Sequence, residues 1–248
     1  MQTDEGIARL AQRTRIVLVR TSHPGNIGGA ARAMKTMGLE RLYLVAPLKF
    51  PHADATARAS NAGDVLGRVR VCDTLEGAIA DCTLVIGASA RQRTLPWPLL
   101  DAREAAQRIA QSSEETAVVF GAEQSGLDNT ELERCGALLR IPTNAEYGSL
   151  NLAAAVQIVA YELRMAAQAE PPETPETPLA TAAELEYFYE HLQRVMEAMD
   201  FLDPGNPKHL MRRMRRLFNR AQLDQNELNI LRGLLAAYDK ARAEKQSG

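Results

Sequence analysis

The stretch IPTNAEYGSLNLAAAVQIVAYE, residues 141–162, predicts the end of a strand, then a loop and a helix. The apolar run ALLR precedes it at 137–140, and Pro142 is expected to end the strand. We expect the hydroxyl of Ser149 to cap the helix that follows. Apolar residues then recur at helical spacing, at Leu152, Val156, Val159 and Leu163. The helix is rich in alanine, so another backbone can approach it closely, and we expect the chain to be organised around this stretch.

Strands and helices alternate along the chain up to this point. Runs rich in β-branched residues predict six strands, at 14–20, 42–45, 69–71, 83–87, 117–121 and 137–141. The segments between them predict helices at 30–37, 53–62, 74–80, 101–112 and 128–134. This alternation implies the α/β class, with a mostly parallel sheet that helices cover on both faces.

The composition favours a cytoplasmic protein without a metal site. The chain has 248 residues and a formal net charge of -2, and 46% of the residues are hydrophobic. Its three cysteines, Cys72, Cys82 and Cys135, fall in no spacing typical of disulfide frameworks or zinc sites. No apolar run reaches the length of a membrane span, and the N-terminus lacks the apolar core of a signal peptide. We therefore expect neither a membrane nor a metal as a partner.

A Pro/Glu-rich segment divides the chain. Residues 169–179 read AEPPETPETPL, a composition that cannot pack a core. We predict a linker at 169–180 between a domain at 1–168 and a small helical extension at 181–248. Three helices are expected in the extension: one through residues 185–192, one that Asn206-Pro207 caps, and one that follows Asp224 or Asn226.

Charge is unevenly distributed along this extension. Residues 170–203 carry nine acidic residues against one arginine, whereas residues 204–248 carry ten Lys/Arg against four acidic residues. Such segregation predicts an anionic partner for the basic end. The alternative is that these charges only form the solvent-exposed face of a helix. Charge considered without any other feature would favour this alternative.

A first motif, PGNIGGAAR at 24–32, follows the first strand directly. We expect a glycine-rich loop entering a helix, in which Gly28 and Gly29 would let a phosphate approach the helix N-terminus. The spacing is not that of a dinucleotide-binding fingerprint, and no acidic residue ends the second strand. Plain loop geometry is the alternative. Arg32 lies one turn into the helix, near the same mouth as Asn26.

A second motif, FGAEQSGL at 120–127, ends the fifth strand. Gly121 allows close backbone approach, and Gly126 permits a tight turn. Glu123 places a carboxylate at the carboxyl edge of the sheet, where open α/β sheets bind their ligands. The alternative role for this glutamate is a helix cap.

Together the three motifs resemble the signature motifs of the SPOUT methyltransferases. The matching patterns are Asn26-x5-Arg32, FGxExxGL and SLNLxxAxxI, in the branch that methylates ribose 2′-hydroxyls of RNA, and the similarity spans residues 15–164. The resemblance implies a SPOUT α/β-knot, in which the last strand and helix pass through an earlier loop as a trefoil knot. It also implies S-adenosylmethionine as the cofactor and a homodimer whose active site forms at the interface.

The resemblance assigns roles to particular residues. It implies that cofactor is held mainly by the backbone of Ala88, Ser89, Ala90, Gly121, Ile141, Gly148, Ser149 and Leu150. The catalytic residues implied are Arg32, Asn26, Glu123, Ser149 and Asn151. The family proposal has the arginine take up the hydroxyl proton. We expect Arg32 instead to bind the phosphate beside the target ribose and stabilise the developing alkoxide, because a guanidinium stays protonated.

The remaining basic residues narrow the resemblance to tRNA-specific members. Arg91 and Arg93 in SARQRTLPWP, the linker, and the tail NPKHLMRRMRRLFNR look like those of enzymes that methylate nucleotide 32 of the tRNA anticodon stem-loop, C or U, with A as a further candidate. The expected RNA-binding residues are Arg91, Arg93, Arg212, Arg213, Arg215, Arg216 and Arg220. Trp97 would either stack on a base or pack.

Three other functions stay open at this point. The first is the same chemistry on ribosomal RNA, and the second is an RNA-binding SPOUT protein without catalysis. The third is a nucleotide-dependent oxidoreductase, against which the missing fingerprint and ribose-binding acid count.

Overall fold

A computed structural model of the chain describes residues 2–89, 97–144, 146–168 and 176–247. Within them a parallel sheet has the strand order β3-β2-β1-β6-β4-β7-β5. Its strands are β1 Thr14–Val19, β2 Arg41–Val45, β3 Arg70–Cys72, β4 Leu84–Ala88, β5 Leu99–Leu100, β6 Thr116–Phe120 and β7 Ala137–Leu139. All six predicted strands are present. The seventh, β5, was missed because two residues after a proline carry no periodic signal.

Helices cover both faces of this sheet. They are α1 Gln2–Arg13, α2 Pro24–Met37, α3 Ala53–Ala59, α4 Gly63–Gly67, α5 Leu75–Ile79, α6 Ala102–Ala110, α7 Asn129–Leu132 and α8 Leu152–Ala166. Side chains of β1 alternate between two cores: Ile16 and Leu18 pack with α2 and α8, whereas Val17 and Val19 pack with α5. The predicted α/β class is therefore confirmed. Helix α1 was not predicted.

Helix α2 begins earlier than the sequence suggested, and the predicted glycine-rich loop was wrong. His23 is its N-cap, and the His23 Nδ1 accepts a hydrogen bond of 3.1 Å from the Gly25 amide. Gly28 and Gly29 therefore lie inside the helix. A Cβ on Gly28 would overlap the backbone oxygen of Ala55, and one on Gly29 would lie 2.8 Å from the Ala153 Cβ. These glycines let α3 and α8 pack closely against α2, which is a packing role rather than a phosphate-binding one.

Helix α8 is capped by Asn151, so the predicted cap at Ser149 was wrong. The Asn151 Oδ1 accepts hydrogen bonds from the amides of Ala153 and Ala154, at 3.0 and 3.3 Å. Because the first helical residue is Leu152, Ser149 lies too early to serve the first free amides. The predicted apolar stripe of this helix is buried: Leu152, Val156, Val159 and Leu163.

The C-terminal extension is all-helical, as predicted. Its helices are α9 Ala182–Ala198, α10 Leu210–Ala221 and α11 Gln225–Ser247, and they share an apolar core of their own. Asp224 precedes α11 and exchanges hydrogen bonds with Glu227, which confirms that cap. Asn206-Pro207 do not cap α10, because the residue at its N-cap is His209.

The extension is docked on the first part of the chain. The Ala182 amide donates to the Cys82 carbonyl at 2.8 Å, and the Ala183 amide donates to the Ala80 carbonyl at 3.1 Å. On the other side of the contact, the Arg212 guanidinium pairs with the Glu133 carboxylate at 2.5 Å. Backbone hydrogen bonds and an ion pair thus both hold this position.

Strand β7 lies between β4 and β5 and is parallel to both. Strands β4 and β5 follow each other in the sequence, so the segment 89–98 already connects them. Strand β7 comes later in the chain but lies between them in the sheet. If the chain passed through the loop formed by that connection, β7 would reach this position. Residues 90–96 of the connection lie outside the described residues, and the trefoil knot stays a prediction.

None of the described helices is long and apolar enough to span a membrane.

Candidate active site

A cleft of about 470 Å³ opens at the carboxyl ends of β4, β6 and β7. This is the edge at which open parallel sheets bind their ligands. The structure brings together there most of the residues expected to hold the cofactor: Ala88, Ser89, Gly121, Ile141, Gly148, Ser149 and Leu150. Ala90, the remaining member of that prediction, lies outside the described residues.

Glu123 forms one wall of the cleft and is fixed by four donors. Its Oε2 accepts hydrogen bonds from the amide and hydroxyl of Ser22, at 3.0 and 2.9 Å. Its Oε1 accepts from the His23 amide at 3.1 Å and from the Asn26 Nδ2 at 2.9 Å. The carboxylate therefore ties the second motif to the end of β1 and the start of α2.

These contacts decide the charge of Glu123. Partial burial by itself would raise the pKa of this carboxyl, but the hydrogen bonds from Ser22, Asn26 and His23 outweigh it and lower the pKa to about 2. Glu123 is thus ionised at neutral pH, and each of its two oxygens accepts two hydrogen bonds. Its hydrogen bonds make it an anchor between the second motif and the start of α2.

Asn26 and Asn151 extend this anchor to the third motif. The Asn151 Nδ2 donates to the Asn26 Oδ1 at 2.9 Å, while the Asn151 Oδ1 caps α8. Each amide uses its oxygen and its nitrogen on different partners, so neither can flip without losing a hydrogen bond. The three motifs are joined through the chain Glu123, Asn26, Asn151.

Tight backbone packing shapes the loop of the second motif. The Gly126 amide donates to the Ala122 carbonyl at 2.7 Å, and Gly126 has a φ of 67°. A Cβ on Gly121 would overlap the backbone of Gly126 and Leu127. Both glycines are therefore required by the loop itself, as the sequence suggested: Gly121 for close backbone approach and Gly126 for the tight turn.

Arg32 is not brought into this cleft. It lies exposed on α2, and within the described residues its guanidinium makes no hydrogen bond or ion pair. Ser149, in contrast, does line the cleft. One copy of the chain thus joins Asn26, Glu123 and Asn151 by hydrogen bonds and places Ser149 in the cleft beside Glu123. It leaves Arg32 on an open surface.

Sequence reasoning missed Ser22 and His23, which donate three of the four hydrogen bonds to Glu123. The signal available was their position, because they follow β1 directly at the ligand-binding edge of the sheet. Their contribution is largely backbone, and residue type gives no indication of that.

The predicted RNA-binding arginines fall into different environments. Arg212 pairs with Glu133, and Arg215 makes two hydrogen bonds to Glu186, at 2.5 and 2.6 Å, above the Tyr189 ring. Arg216 is half-buried, whereas Arg213 and Arg220 are exposed. Part of the charge asymmetry is therefore balanced inside the extension. Arg91 and Arg93 lie outside the described residues.

Trp97 packs against the sheet. Its Nε1 donates to the Cys135 carbonyl at 3.2 Å, and its ring contacts the core that contains Val17 and Val19. The packing interpretation therefore holds for this side chain. Among the described residues no group of three or more His, Cys, Asp or Glu side chains is placed to hold a metal ion.

Family models match both parts of the chain. Residues 13–161 match the SpoU rRNA Methylase family, and residues 183–248 match the C-terminal domain of the tRNA methyltransferase TrmJ. The chain belongs to the SpoU methylase family. The resemblance drawn from the three motifs is thereby confirmed, and the protein is a methyltransferase and not an oxidoreductase.

Individual relatives and solved structures agree with this membership. The chain is 53% identical over 245 residues to the tRNA (cytidine/uridine/adenosine-2′-O-)-methyltransferase TrmJ of Pseudomonas aeruginosa, covering 93% of this chain and 95% of the relative. The crystal structure of TrmJ from Z. mobilis ZM4 matches with a TM-score of 0.82 and 33% identity, over 91% of this chain and 99% of that one. An AdoMet-bound rRNA methyltransferase from Sinorhizobium meliloti matches with a TM-score of 0.51 and 27% identity, over 62% of this chain and 56% of that one.

Proposed function

We propose that this protein transfers a methyl group from S-adenosylmethionine to the ribose 2′-hydroxyl of nucleotide 32 in the anticodon loop of tRNA. The base is C or U, with A as a further candidate. The observation that carries the proposal is the chain of hydrogen bonds from Glu123 through Asn26 to Asn151, which holds all three family motifs around one cleft. The names of the TrmJ relatives support tRNA as the substrate.

The cleft fits S-adenosylmethionine in its donor set. No hydrogen bond within the described residues uses the backbone amides of Ile141 or Leu150, so these amides are free for a ligand. The ring nitrogens and amino group of adenine can form hydrogen bonds with backbone amides and carbonyls. A loop can therefore bind adenine without a charged side chain. The cofactor contributes an electrophilic methyl group on a sulfonium. The AdoMet-bound relative from Sinorhizobium meliloti supports the same choice.

The main contribution of this chain to catalysis is then to position the reactants. In-line methyl transfer to a hydroxyl is accelerated most by holding the sulfonium and the hydroxyl close together and aligned. Glu123, fixed as an anion, keeps the ends of β1 and β6 together, and Asn151 keeps the start of α8 against α2. Arg32 binds the phosphate beside the target ribose and stabilises the alkoxide as its proton leaves.

A homodimer would bring Arg32 to a site. Arg32 lies on the open face of α2, beside α8. Helix α8 also carries exposed apolar side chains, with Tyr161 47% and Met165 43% exposed. A second copy covering this face would bury them and place Arg32 at the interface. This supports the dimer expected from the family.

The extension at 181–248 is proposed to bind tRNA, with residues 169–180 as the linker from the catalytic domain at 1–168. Arg213, Arg216 and Arg220 are its proposed contacts with the RNA backbone, together with Arg91 and Arg93. Arg212 and Arg215 are paired with the carboxylates of Glu133 and Glu186, and their first role is to hold these ion pairs. A cytoplasmic location stays a prediction.

The test is methyl incorporation from labelled S-adenosylmethionine into unmodified bulk tRNA, with nuclease digestion and mass spectrometry of the nucleosides. We expect a 2′-O-methylated nucleoside that maps to position 32. Cofactor binding with incorporation only into ribosomal RNA would replace the substrate. Cofactor binding without incorporation into either RNA, or no cofactor binding at all, would leave an RNA-binding protein without catalysis.

A further inference from the structure

A second cavity, of about 740 Å³, lies in the extension at the corner between α9 and α10. It shares no lining residue with the cleft of the active site. Its lining includes one aromatic side chain and three side chains of basic residues: Phe201, Lys208, His209 and Arg213. Of these four residues only Arg213 was expected from the sequence to contact RNA.

The corner is built by the backbone so that Phe201 faces outward. The amides of Phe201 and Leu202 both donate to the Met196 carbonyl, at 2.9 and 3.1 Å, and Leu202 is buried in the core of the extension. Two residues at the ends of the turn, Asp200 and Lys208, have positive φ values of 58° and 48°. Non-glycine residues hold such angles only where the surroundings fix them, so the corner has a defined shape.

Phe201 is 67% exposed, whereas the other phenylalanines of the extension, Phe188 and Phe218, lie in its core. A large exposed ring costs hydration free energy, and a partner that covers it recovers that cost. Because the ring is flat and stands beside cations, a planar ligand joined to an anion fits this place.

The basic residues of the corner are free to bind such an anion. Within the described residues, the side chains of Lys208, His209 and Arg213 make no hydrogen bond or ion pair. The contrast is with Arg212 and Arg215 on the same helix, which carboxylates hold. The acidic member of the cavity lining, Asp203, accepts a hydrogen bond of 2.8 Å from the Gly205 amide.

We propose that this corner binds one unpaired nucleotide of the RNA substrate, with the base stacked on Phe201 and the flanking phosphates on Lys208 and Arg213. The proposal rests on the proposed function for RNA as the ligand. An unpaired nucleotide is required because a base inside a duplex has no free face to offer. Stacking tolerates any base, so the corner contributes affinity and placement and not sequence choice.

The experiment measures binding of an unmodified tRNA transcript to the full-length protein over a series of KCl concentrations. Phe201→Leu keeps an apolar side chain but removes the aromatic face, and we expect the affinity to fall about tenfold. Phe201→Trp should bind as tightly as the wild type. Neither change should alter the slope of log affinity against log salt.

Lys208→Gln and Arg213→Gln should each reduce that slope by about 0.7 to 0.9, the contribution of one phosphate contact. Lys240→Gln removes the same charge from the exposed part of α11 and is the matched control, with a smaller change in slope. A blunt RNA duplex should bind the wild type and Phe201→Leu equally. Thermal unfolding should be the same for all variants, because the substituted side chains are exposed.

Equal tRNA affinity for the wild type and Phe201→Leu overturns this proposal, whether or not the protein methylates tRNA. Loss of affinity that Phe201→Trp also shows overturns it as well, since stacking is then not the cause. If the wild type methylates no tRNA but its binding still depends on the ring of Phe201, the proposed function fails and the nucleotide site stands.

Discussion

The side-chain amide of Asn151 donates a hydrogen bond of 2.9 Å to the side-chain oxygen of Asn26, across 125 positions of sequence. The same Asn151 caps α8, and the same Asn26 donates to Glu123. The start of α8 is therefore fixed by the two earlier motifs. Any change in this chain of contacts should reach the cofactor cleft through the loop at 148–151.

Asn151→Ser should separate the two roles of this residue. Serine can still cap α8, so the melting temperature should change little, but it cannot reach Asn26 as the amide does. We expect weaker S-adenosylmethionine binding in calorimetry. Asn151→Ala, the comparison, should also lose about 1 kcal/mol of stability from the missing cap. Unchanged cofactor affinity in both variants would show that the contact with Asn26 does not shape the cleft.

Glu123 should make the stability of the fold depend on pH. Its pKa is lowered to about 2 in the folded state, so its contribution is fully present above the unfolded value near 4.5 and is lost as the pH falls through about 2. Because the group is partly solvated, we expect about 1–2 kcal/mol and not the full value of the shift. Urea unfolding at pH 7 and pH 3 measures the part of this contribution that is lost above pH 3.

Glu123→Gln is the companion variant in that experiment. It should be less stable at pH 7, because the new amide group faces the donors of Ser22 and His23. Its stability should also vary less between pH 7 and pH 3. A variant with the same pH dependence as the wild type would rule out Glu123 as the group that titrates.

Gly28→Ala should disrupt the packing of α2 against α3. The added methyl group would overlap the Ala55 carbonyl oxygen, and backbone cannot move aside as a side chain can. We expect a loss of about 3 kcal/mol or failure to fold. Gly63→Ala is the matched control, because a Cβ there meets nothing within 4 Å and the backbone is already helical. It should be neutral or slightly stabilising in thermal unfolding.

Arg215→Gln and Arg213→Gln should behave differently although they are two positions apart. Arg215 is largely buried between Glu186 and the ring of Tyr189, and the pairing lowers the pKa of Glu186 despite its burial. Removing the guanidinium leaves that carboxylate without its partner and should cost about 2–4 kcal/mol. Arg213→Gln should leave the melting temperature unchanged and weaken tRNA binding. Amide hydrogen exchange in α9 and α10 would show where Arg215→Gln loses stability.

Arg32→Lys tests the role of the arginine. If Arg32 binds a phosphate and stabilises the alkoxide, lysine should lower the rate by about tenfold or more at every pH, because it lacks the bidentate geometry. The basic limb of the pH-rate profile should not move. A large downward shift of that limb would instead indicate direct proton abstraction by the residue. Unchanged S-adenosylmethionine affinity serves as the control for folding.

The sequence alone was sufficient for the fold class, for six of the seven strands in the described residues and for the position of the cleft. Alternating strands and helices are a local pattern, and the carboxyl ends of parallel strands must meet at one edge. Asn26, Glu123 and Asn151 each stand next to a strand or helix end in the sequence, so their convergence was predictable. The helical extension followed from the apolar spacing in the same way.

Only the tertiary structure decided which partner each of these groups has. Gly28 packs against the backbone of α3, and the Asn151 side chain bonds to Asn26, which is distant in sequence. The arginines of α10 are alike in sequence, yet Arg215 is paired and Arg213 is open. Helical and strand periodicity is set by neighbours along the chain, whereas hydrogen bonds and ion pairs are set by distance in space, which a single sequence does not contain.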